Sequence, residues 1–302
     1  MQDSTDSQGV PIDAQMLIES LDHLPVIPAV AARVLSLNDD ATSALEVSQV
    51  ISTDPVLTAM LLRVSNSAYY GFSRRLSTVR EAVLLLGFKQ VRQIAVGASV
   101  MRSWKCNSGG ADGFEMDLFW GHSMSVAVIA EMAARKFNSG RPEEAFTAGI
   151  LHDLGVLALR EARPLPFQAA IRAASEGMEL LAAEREHIGL THDQMGEALA
   201  ERWQLPERLV QAMAHHHDAG LSPVVDGLTG VVCAADQVAE RYGVHCGFVR
   251  GSIPPRMQLP DELAKLEIAC GGIGSVLDRA HAFITNVSGS PGSWYSIDSL
   301  AA

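Results

Sequence analysis

Apolar residues recur along this chain at the three- and four-residue spacing of amphipathic helices. After Asp54-Pro55, which suits the first turn of a helix because proline needs no donor there, the apolar residues of one face are Val56, Leu57, Met60, Leu61 and Val64. Patterns that alternate every second residue, as in strands, are scarce, and no internal repeat or heptad run is present. The sequence therefore predicts an all-α, multi-helical bundle.

Start and stop signals divide this pattern into individual helices. Thr78 with Glu81 and Thr191 with Gln194 have the spacing of capping boxes, and Gly87 interrupts or ends the helix that follows Thr78. Further helices are predicted at 88–104, 118–137, 142–154, 167–175, 191–203, 206–217, through 231–236, and at 273–287.

The segment 107–110, Asn-Ser-Gly-Gly, is the clearest linker and separates two helical halves. We predict a flexible leader at 1–13, an N-terminal half at 14–106 and a central half at 107–218. Helices within 219–302 are expected to pack on the central half, with a flexible Ser/Gly-rich tail from about residue 288.

Composition narrows the class of protein. A hydrophobic content of 48% excludes a disordered chain, and a formal charge of −12 disfavours nucleic acid or an anionic membrane as partner. The start of the chain is polar and acidic, unlike a signal peptide, and no apolar run approaches the length of a membrane span. The four cysteines show no paired spacing. These features predict a cytoplasmic protein with reduced thiols.

Several polar residues fall on apolar helical faces. His122 shares a face with Val126 and Ile129, and Asp236 lies four residues after Val232. Asp153, in the dipeptide His152-Asp153, lies near the same kind of face. Because a buried carboxylate is costly unless it is paired or binds a metal, these positions indicate a shared cation.

The run of three histidines is resolved by the same spacing. His216 and His217 lie three and four residues after Met213, whereas His215 points elsewhere, and His192 can reach inward from the first turn of its helix. Taken singly, a histidine on an apolar face is more often a hydrogen-bonded core residue than a ligand, and a run of histidines is often a solvated helix end. Seven residues on at least five elements favour a metal-binding cavity instead.

The motifs of the chain resemble those of the HDOD domain, a branch of the HD superfamily. The resemblance covers roughly residues 20 to 220. It rests on 24–28 (LPVIP), 51–58 (ISTDPVLT), 62–69 (LRVSNSAY), 82–87 (AVLLLG), 119–123 (FWGHS), 152–153 (HD), 203–207 (WQLPE) and 216–218 (HHD). It implies an all-helical regulatory or signalling module, mostly bacterial, generally without an established enzymatic activity.

The wider superfamily contains metal-dependent phosphohydrolases, and this implies a divalent metal site of as many as two ions. By resemblance, one ion would be held by His122, His152, Asp153 and Asp236. The second would lie among His192, His216 and His217, with Asp153 as the bridge. Fe, Mn, Zn and Ni are not distinguished by these ligands.

The chain departs from phosphodiesterases of the HD-GYP type, which cleave cyclic-di-GMP. Those enzymes carry a lysine shortly after the His-Asp pair, where this chain has Leu154-Gly155-Val156. They also carry Gly-Tyr-Pro after the paired histidines, where this chain has Asp218-Ala219-Gly220-Leu221. The departures argue against cyclic-di-GMP hydrolysis and leave the metal pocket unaffected.

Three functions follow as hypotheses. The first is a regulatory module that senses a ligand or controls a protein partner, and the second is a phosphohydrolase acting on a nucleotide or other phosphate ester. The third is an anion-binding or partner-binding patch formed by Arg74, Arg75, Arg80, Lys89 and Arg92, for which the alternative is a solvated helix face.

Overall fold

The computed structural model describes residues 13–21, 29–37, 42–66, 70, 72–104, 113–218, 226–248 and 273–288. These residues are mostly helical, and no strand occurs among them. The all-α prediction is confirmed. The predicted linker at 107–110, leader positions 1–12 and the tail from 289 lie outside the described residues.

Among the described residues, six helices precede the predicted linker. They are α1 (Ala14–Ser20), α2 (Ala29–Ser36), α3 (Ala44–Ser52), α4 (Pro55–Ser65), α5 (Val79–Leu86) and α6 (Phe88–Ser103). Helices α2 to α6 pack on one another, with α6 in contact with each of the others. Helix α1 packs instead against helices that follow the linker, where Gln15 donates a hydrogen bond to Glu201.

The cap signals of this region are confirmed. Asp54 caps α4 by accepting from the backbone N–H groups of Val56 and Leu57, both at 3.0 Å. Thr78 and Glu81 form the complete capping box of α5. Gly87 separates α5 from α6 with a φ of +85°, a conformation that residues with a Cβ rarely adopt.

The central helices are α7 (Met116–Phe137), α8 (Pro142–Leu151), α9 (Leu154–Ala162), α10 (Pro164–Ser175), α11 (Leu180–His187), α12 (His192–Arg202) and α13 (Glu207–His215). Helix α7 lies along α8, and α12 packs against both α9 and α13. Nearly every residue of α7 between Phe119 and Ala134 is buried, so this helix forms the axis of the central part.

The predicted C-terminal end of the helix over 142–154 was wrong, because α8 stops at Leu151 and a two-residue turn separates it from α9. Asp153 occupies that turn with φ −96° and ψ 8°. The apolar pattern runs on unbroken through Leu154, so nothing in it marks the turn. Tight packing stabilises it: a Cβ on Gly155 would lie 1.8 Å from the carbonyl oxygen of His192.

In the described part of the chain after residue 218, the helices are α14 (Gly227–Arg241) and α15 (Ile273–Ser288). Both pack against α7, and α15 also contacts α4. After α14 the chain turns back over α7, where the Gly247 carbonyl accepts from the Glu115 N–H at 2.6 Å. No described helix combines the length and apolarity needed to cross a membrane.

Candidate metal centre

The fold brings the seven predicted ligands into one buried cluster. They come from five elements, which are α7 for His122, the α8–α9 turn for His152 and Asp153, the start of α12 for His192, the end of α13 for His216 and His217, and α14 for Asp236. All are buried except His217, whose side chain is 28% exposed. Solvent therefore reaches the cluster at His217.

One side of the cluster is a group made of His122, His152 and Asp236. The His122 Nε2 lies 3.3 Å from the His152 Nε2 and 3.2 Å from the Asp236 Oδ1. The Oδ2 of Asp153 lies 3.3 Å from the Nε2 of both histidines. Four donor atoms thus face a common point.

The other side of the cluster is a group made of Asp153, His192, His216 and His217. The Asp153 Oδ1 lies 3.4 Å from the Nε2 of His192 and 3.4 Å from that of His216. The Nε2 atoms of His192 and His217 are 2.9 Å apart. Because its two oxygens face different groups, Asp153 lies between them as a bridge would.

These separations match the dimensions of a metal site. With metal–ligand bonds of about 2.1 Å and tetrahedral angles, neighbouring donors lie about 3.4 Å apart. The observed separations of 3.3 Å from the His122 Nε2 to the Asp153 Oδ2 and 3.2 Å to the Asp236 Oδ1 are close to that value. Nitrogen and carboxylate donors of this kind suit the divalent transition metals.

Hydrogen bonds on the outer side of the rings decide which nitrogen faces the cluster. The Nδ1 of His122 lies 2.7 Å from the Val244 carbonyl and the Nδ1 of His152 lies 2.8 Å from the Gly149 carbonyl. The Nδ1 of His216 lies 3.0 Å from the Met213 carbonyl. A carbonyl can only accept, so each Nδ1 carries a proton, and each Nε2 is the nitrogen that faces inward and can bind a metal once it is deprotonated.

Two buried atoms at the centre have no hydrogen-bond partner among the described residues, the Asp153 Oδ1 and the His216 Nε2. An orphaned buried acceptor is destabilising by roughly 1–3 kcal/mol. Both atoms belong to the predicted ligand set and face the second group. The residues present therefore fit a bound cation.

The electrostatics of the metal-free cluster are those of carboxylates held among imidazoles. Burial opposes ionisation of Asp153, but the rings of His152 and His122 hold its pKa well below 3.8. Burial alone would lower the pKa of His122. The hydrogen bonds to Asp153 and Asp236 and the charges of these carboxylates have the larger combined effect and raise this pKa well above 6.5. Partial burial and the ring of His216 lower the pKa of His217 to about 3, so this residue is neutral at pH 7.

Two residues beside the cluster were not predicted from the sequence. Glu184 on α11 is fully buried, and its carboxylate lies 2.8 Å from the His192 Nδ1. Cys246 hydrogen bonds to Asp153, and burial with the Asp153 charge raises its pKa well above 9.0, so the thiol stays protonated. Glu184 could have been noticed because Leu180, Ala183 and Glu184 share helical spacing, whereas no pattern marks Cys246.

The remaining candidates lie apart from the cluster. His215 is 44% exposed and pairs with Asp218 at 3.1 Å. Of the five basic residues of the predicted patch, four are exposed and one is buried, and two of the exposed residues form ion pairs. They are Arg74 (exposed, with Glu81, 2.8 Å), Lys89 (exposed, with Glu143, 3.0 Å), Arg75 and Arg80 (exposed) and Arg92 (buried). The patch stays a prediction.

Comparison with known proteins places the chain among HDOD proteins. The family model described as the HDOD domain matches residues 24–219. An uncharacterized protein of Treponema pallidum is 22% identical over 218 residues, which are 70% of this chain and 40% of that protein. The chain thus spans about 40% of the length of the curated relative that it matches.

Solved structures share the fold. A Shewanella amazonensis protein provisionally named a phosphohydrolase is 26% identical with a TM-score of 0.66, covering 91% of this chain and 98% of that one. An HDOD domain protein of unknown function from Geobacter sulfurreducens is 23% identical with a TM-score of 0.71, covering 94% and 97%. A Marinobacter aquaeolei protein provisionally named a signal transduction protein is 22% identical with a TM-score of 0.68, covering 88% and 59%.

Proposed function

Because this chain belongs to the HDOD family, we propose that it is a bacterial, cytoplasmic signal-transduction module whose His/Asp centre binds two divalent metal ions. The observation that carries the proposal is the position of Asp153, whose Oδ2 faces His122 and His152 while its Oδ1 faces His192 and His216. Two donor groups that share one carboxylate form the ligand arrangement of a paired-metal site.

Each ion has a separate set of ligands in this proposal. The first would be held by His122, His152 and Asp236 with the Asp153 Oδ2, and the second by His192, His216 and His217 with the Asp153 Oδ1. The imidazole and carboxylate donors suit Fe, Mn, Zn and Ni. The metal identity is a matter for elemental analysis.

A regulatory role follows from the elements that the ligands join. The centre connects α7, the α8–α9 turn, α12, α13 and α14, so metal binding fixes these five elements relative to one another. Loading or loss of metal, or of a ligand bound beside it, would then alter the surface that a protein partner contacts. The centre acts as the sensor and the packed helices carry the signal.

The second candidate function is hydrolysis of a phosphate ester, such as a nucleotide. It is favoured by the shared Asp153 and by the 26% identity to the Shewanella protein provisionally named a phosphohydrolase. Bound metals would supply charge stabilisation for the phosphate. A phosphate could reach the metals from solvent at His217, the partly exposed ligand of the cluster. The absence of a lysine shortly after Asp153 disfavours cyclic-di-GMP as the substrate in particular.

The test begins with protein purified without a histidine tag and analysed for metals. We expect about two ions per chain, and fewer in His216→Ala, whereas His215→Ala serves as the matched control because His215 pairs with Asp218 outside the cluster. A chain that binds no Fe, Mn, Zn or Ni under metal-replete conditions would refute the metal centre.

A panel of phosphomonoesters, phosphodiesters and nucleotides then separates the two functions. Turnover that disappears in His152→Ala supports the enzyme, and an inert, metal-loaded protein supports the signalling module.

A further inference from the structure

One side chain outside the seven ligands serves one of them alone. Both carboxylate oxygens of Glu184 lie near the His192 Nδ1, at 3.0 and 2.8 Å. The Glu184 Oε2 also accepts from the backbone N–H of His192 at 2.9 Å. Glu184 is fully buried and comes from α11, whereas His192 begins α12.

From this geometry we propose that Glu184 is a positioning residue of the second metal group. Its carboxylate holds the His192 ring with Nδ1 as the donor and Nε2 turned to Asp153 and His217, and its negative charge makes His192 a stronger ligand. The inference rests on the proposed metal centre. In this role Glu184 raises the metal affinity of the second group and does not affect the metal affinity of the first.

Among the four buried histidines of the cluster, His192 is the one whose Nδ1 meets a carboxylate. The Nδ1 atoms of His122, His152 and His216 meet backbone carbonyls instead. A carbonyl orients the ring as well as a carboxylate does, so orientation alone does not require a charge at this position. A full negative charge adds electron density to the ring and attracts the cation beyond it, as carboxylate–histidine–metal arrangements do.

A purely structural role for Glu184 would require only a hydrogen-bond acceptor at this position. The His192 N–H is the first of α12 and has no partner inside the helix, so Glu184 could serve simply as a cap. A glutamine could accept that hydrogen bond equally well, because its amide oxygen occupies the place of a carboxylate oxygen. The two roles therefore separate in Glu184→Gln, which keeps the acceptor and removes the charge.

The experiment loads the full chain with Zn²⁺ or Co²⁺ and measures affinity by competition with a chromophoric chelator. Glu184→Gln is expected to weaken one of the two sites about tenfold and Glu184→Ala about a hundredfold. The visible absorption of bound Co²⁺ should change for that site alone. Glu186→Gln, an exposed glutamate on the same helix, is the matched control. Circular dichroism and thermal melting of the metal-free variants show whether each is folded.

The possible outcomes are distinct. If Glu184→Gln without metal melts like the wild type but binds one of the two ions more weakly, the proposal is supported. Equal affinity and an unchanged Co²⁺ spectrum in folded Glu184→Gln would overturn it and leave the metal centre standing. Equal weakening of both sites would also overturn it. A wild-type chain that binds no metal overturns the metal centre and this role together.

Discussion

Single contacts determine what each functional side chain of this protein can do. An imidazole has two nitrogens, and a neighbouring carbonyl that accepts from one leaves the other as a lone pair. In His122, for example, the Val244 carbonyl at 2.7 Å accepts a hydrogen bond from the Nδ1–H. The residue type allows metal binding, and its neighbour decides which atom is presented.

Asp54 shows a similar effect of neighbours on stability, far from the metal centre. It caps α4 and also meets Arg102, with the Arg102 Nη1 3.0 Å from its Oδ1. The hydrogen bond to Arg102 lowers the pKa of Asp54 from 3.8 to about 2, against the opposing effect of burial. The charged form is therefore favoured by the folded state.

We predict that Asp54→Asn lowers the free energy of unfolding by about 1.5 kcal/mol at pH 7, less than the pKa shift alone implies because solvent screens this partly exposed pair. Because the folded pKa is the depressed one, this stabilisation is complete above about pH 4 in the wild type and is lost as the pH falls through about 2. Urea unfolding between pH 7 and pH 2 should show the difference shrinking. Asp13→Asn, at the cap of α1, is the matched control and should change stability by less than about 1 kcal/mol. A loss for Asp54→Asn that does not vary with pH would contradict the prediction.

At the scale of elements, the central feature is the close approach of α9 to α12. This contact places the α8–α9 turn, with His152 and Asp153, opposite His192. Gly155 permits it, since a Cβ there would lie 1.8 Å from the His192 carbonyl oxygen and 2.6 Å from the Gly196 nitrogen. Both of those atoms belong to the backbone and cannot move without moving α12.

Gly155→Ala is predicted to lower the free energy of unfolding by about 3 kcal/mol and to weaken metal binding by separating the two groups. Gly274→Ala is the matched control, because that helical glycine has open space where the Cβ would lie. It should be neutral or more stable by less than about 1 kcal/mol. Denaturant unfolding and metal competition on both variants provide the measurement. Equal stabilities for the two variants would show that the α9–α12 contact is not close-packed.

For the whole molecule, the metal centre is a link between elements distant along the chain. The ligands span His122 to Asp236, and the elements that carry them pack on α7, α8, α9 and α12. An ion that binds only this arrangement stabilises the folded state through its binding free energy. Stability and metal loading should therefore rise and fall together.

Addition of Zn²⁺ or Mn²⁺ to the metal-free chain is predicted to raise Tm by several degrees, since about 2.7 kcal/mol follows from one site at a hundredfold excess over Kd. The shift should be larger at pH 8 than at pH 6. Burial opposes the charge of His192, but Glu184 raises its pKa to about 10, so metal must displace a proton there and acid competes with it. His216→Ala should reduce the shift, whereas His215→Ala should retain it. A Tm that changes on addition of neither metal nor chelator would argue against the metal centre.

The helices could largely be predicted from the sequence, because spacing, caps and proline positions are local signals. The Thr78–Glu81 and Thr191–Gln194 boxes lie where the chain itself indicates. The α8–α9 turn could not be predicted, since the apolar pattern continues through it and a contact with α12 produces it. Helices α9 and α11 also escaped prediction, and Glu184 was missed with α11.

The sequence by itself determined the helical class, the family resemblance and the set of seven polar residues on buried faces. Only the tertiary structure decided that Asp153 faces both groups, that His192 is held by Glu184 and that Cys246 lies beside Asp153. The reason is physical. Helical periodicity reports which side of an element faces inward, but the atoms that meet there depend on how separate elements pack, and that is not encoded within any one of them.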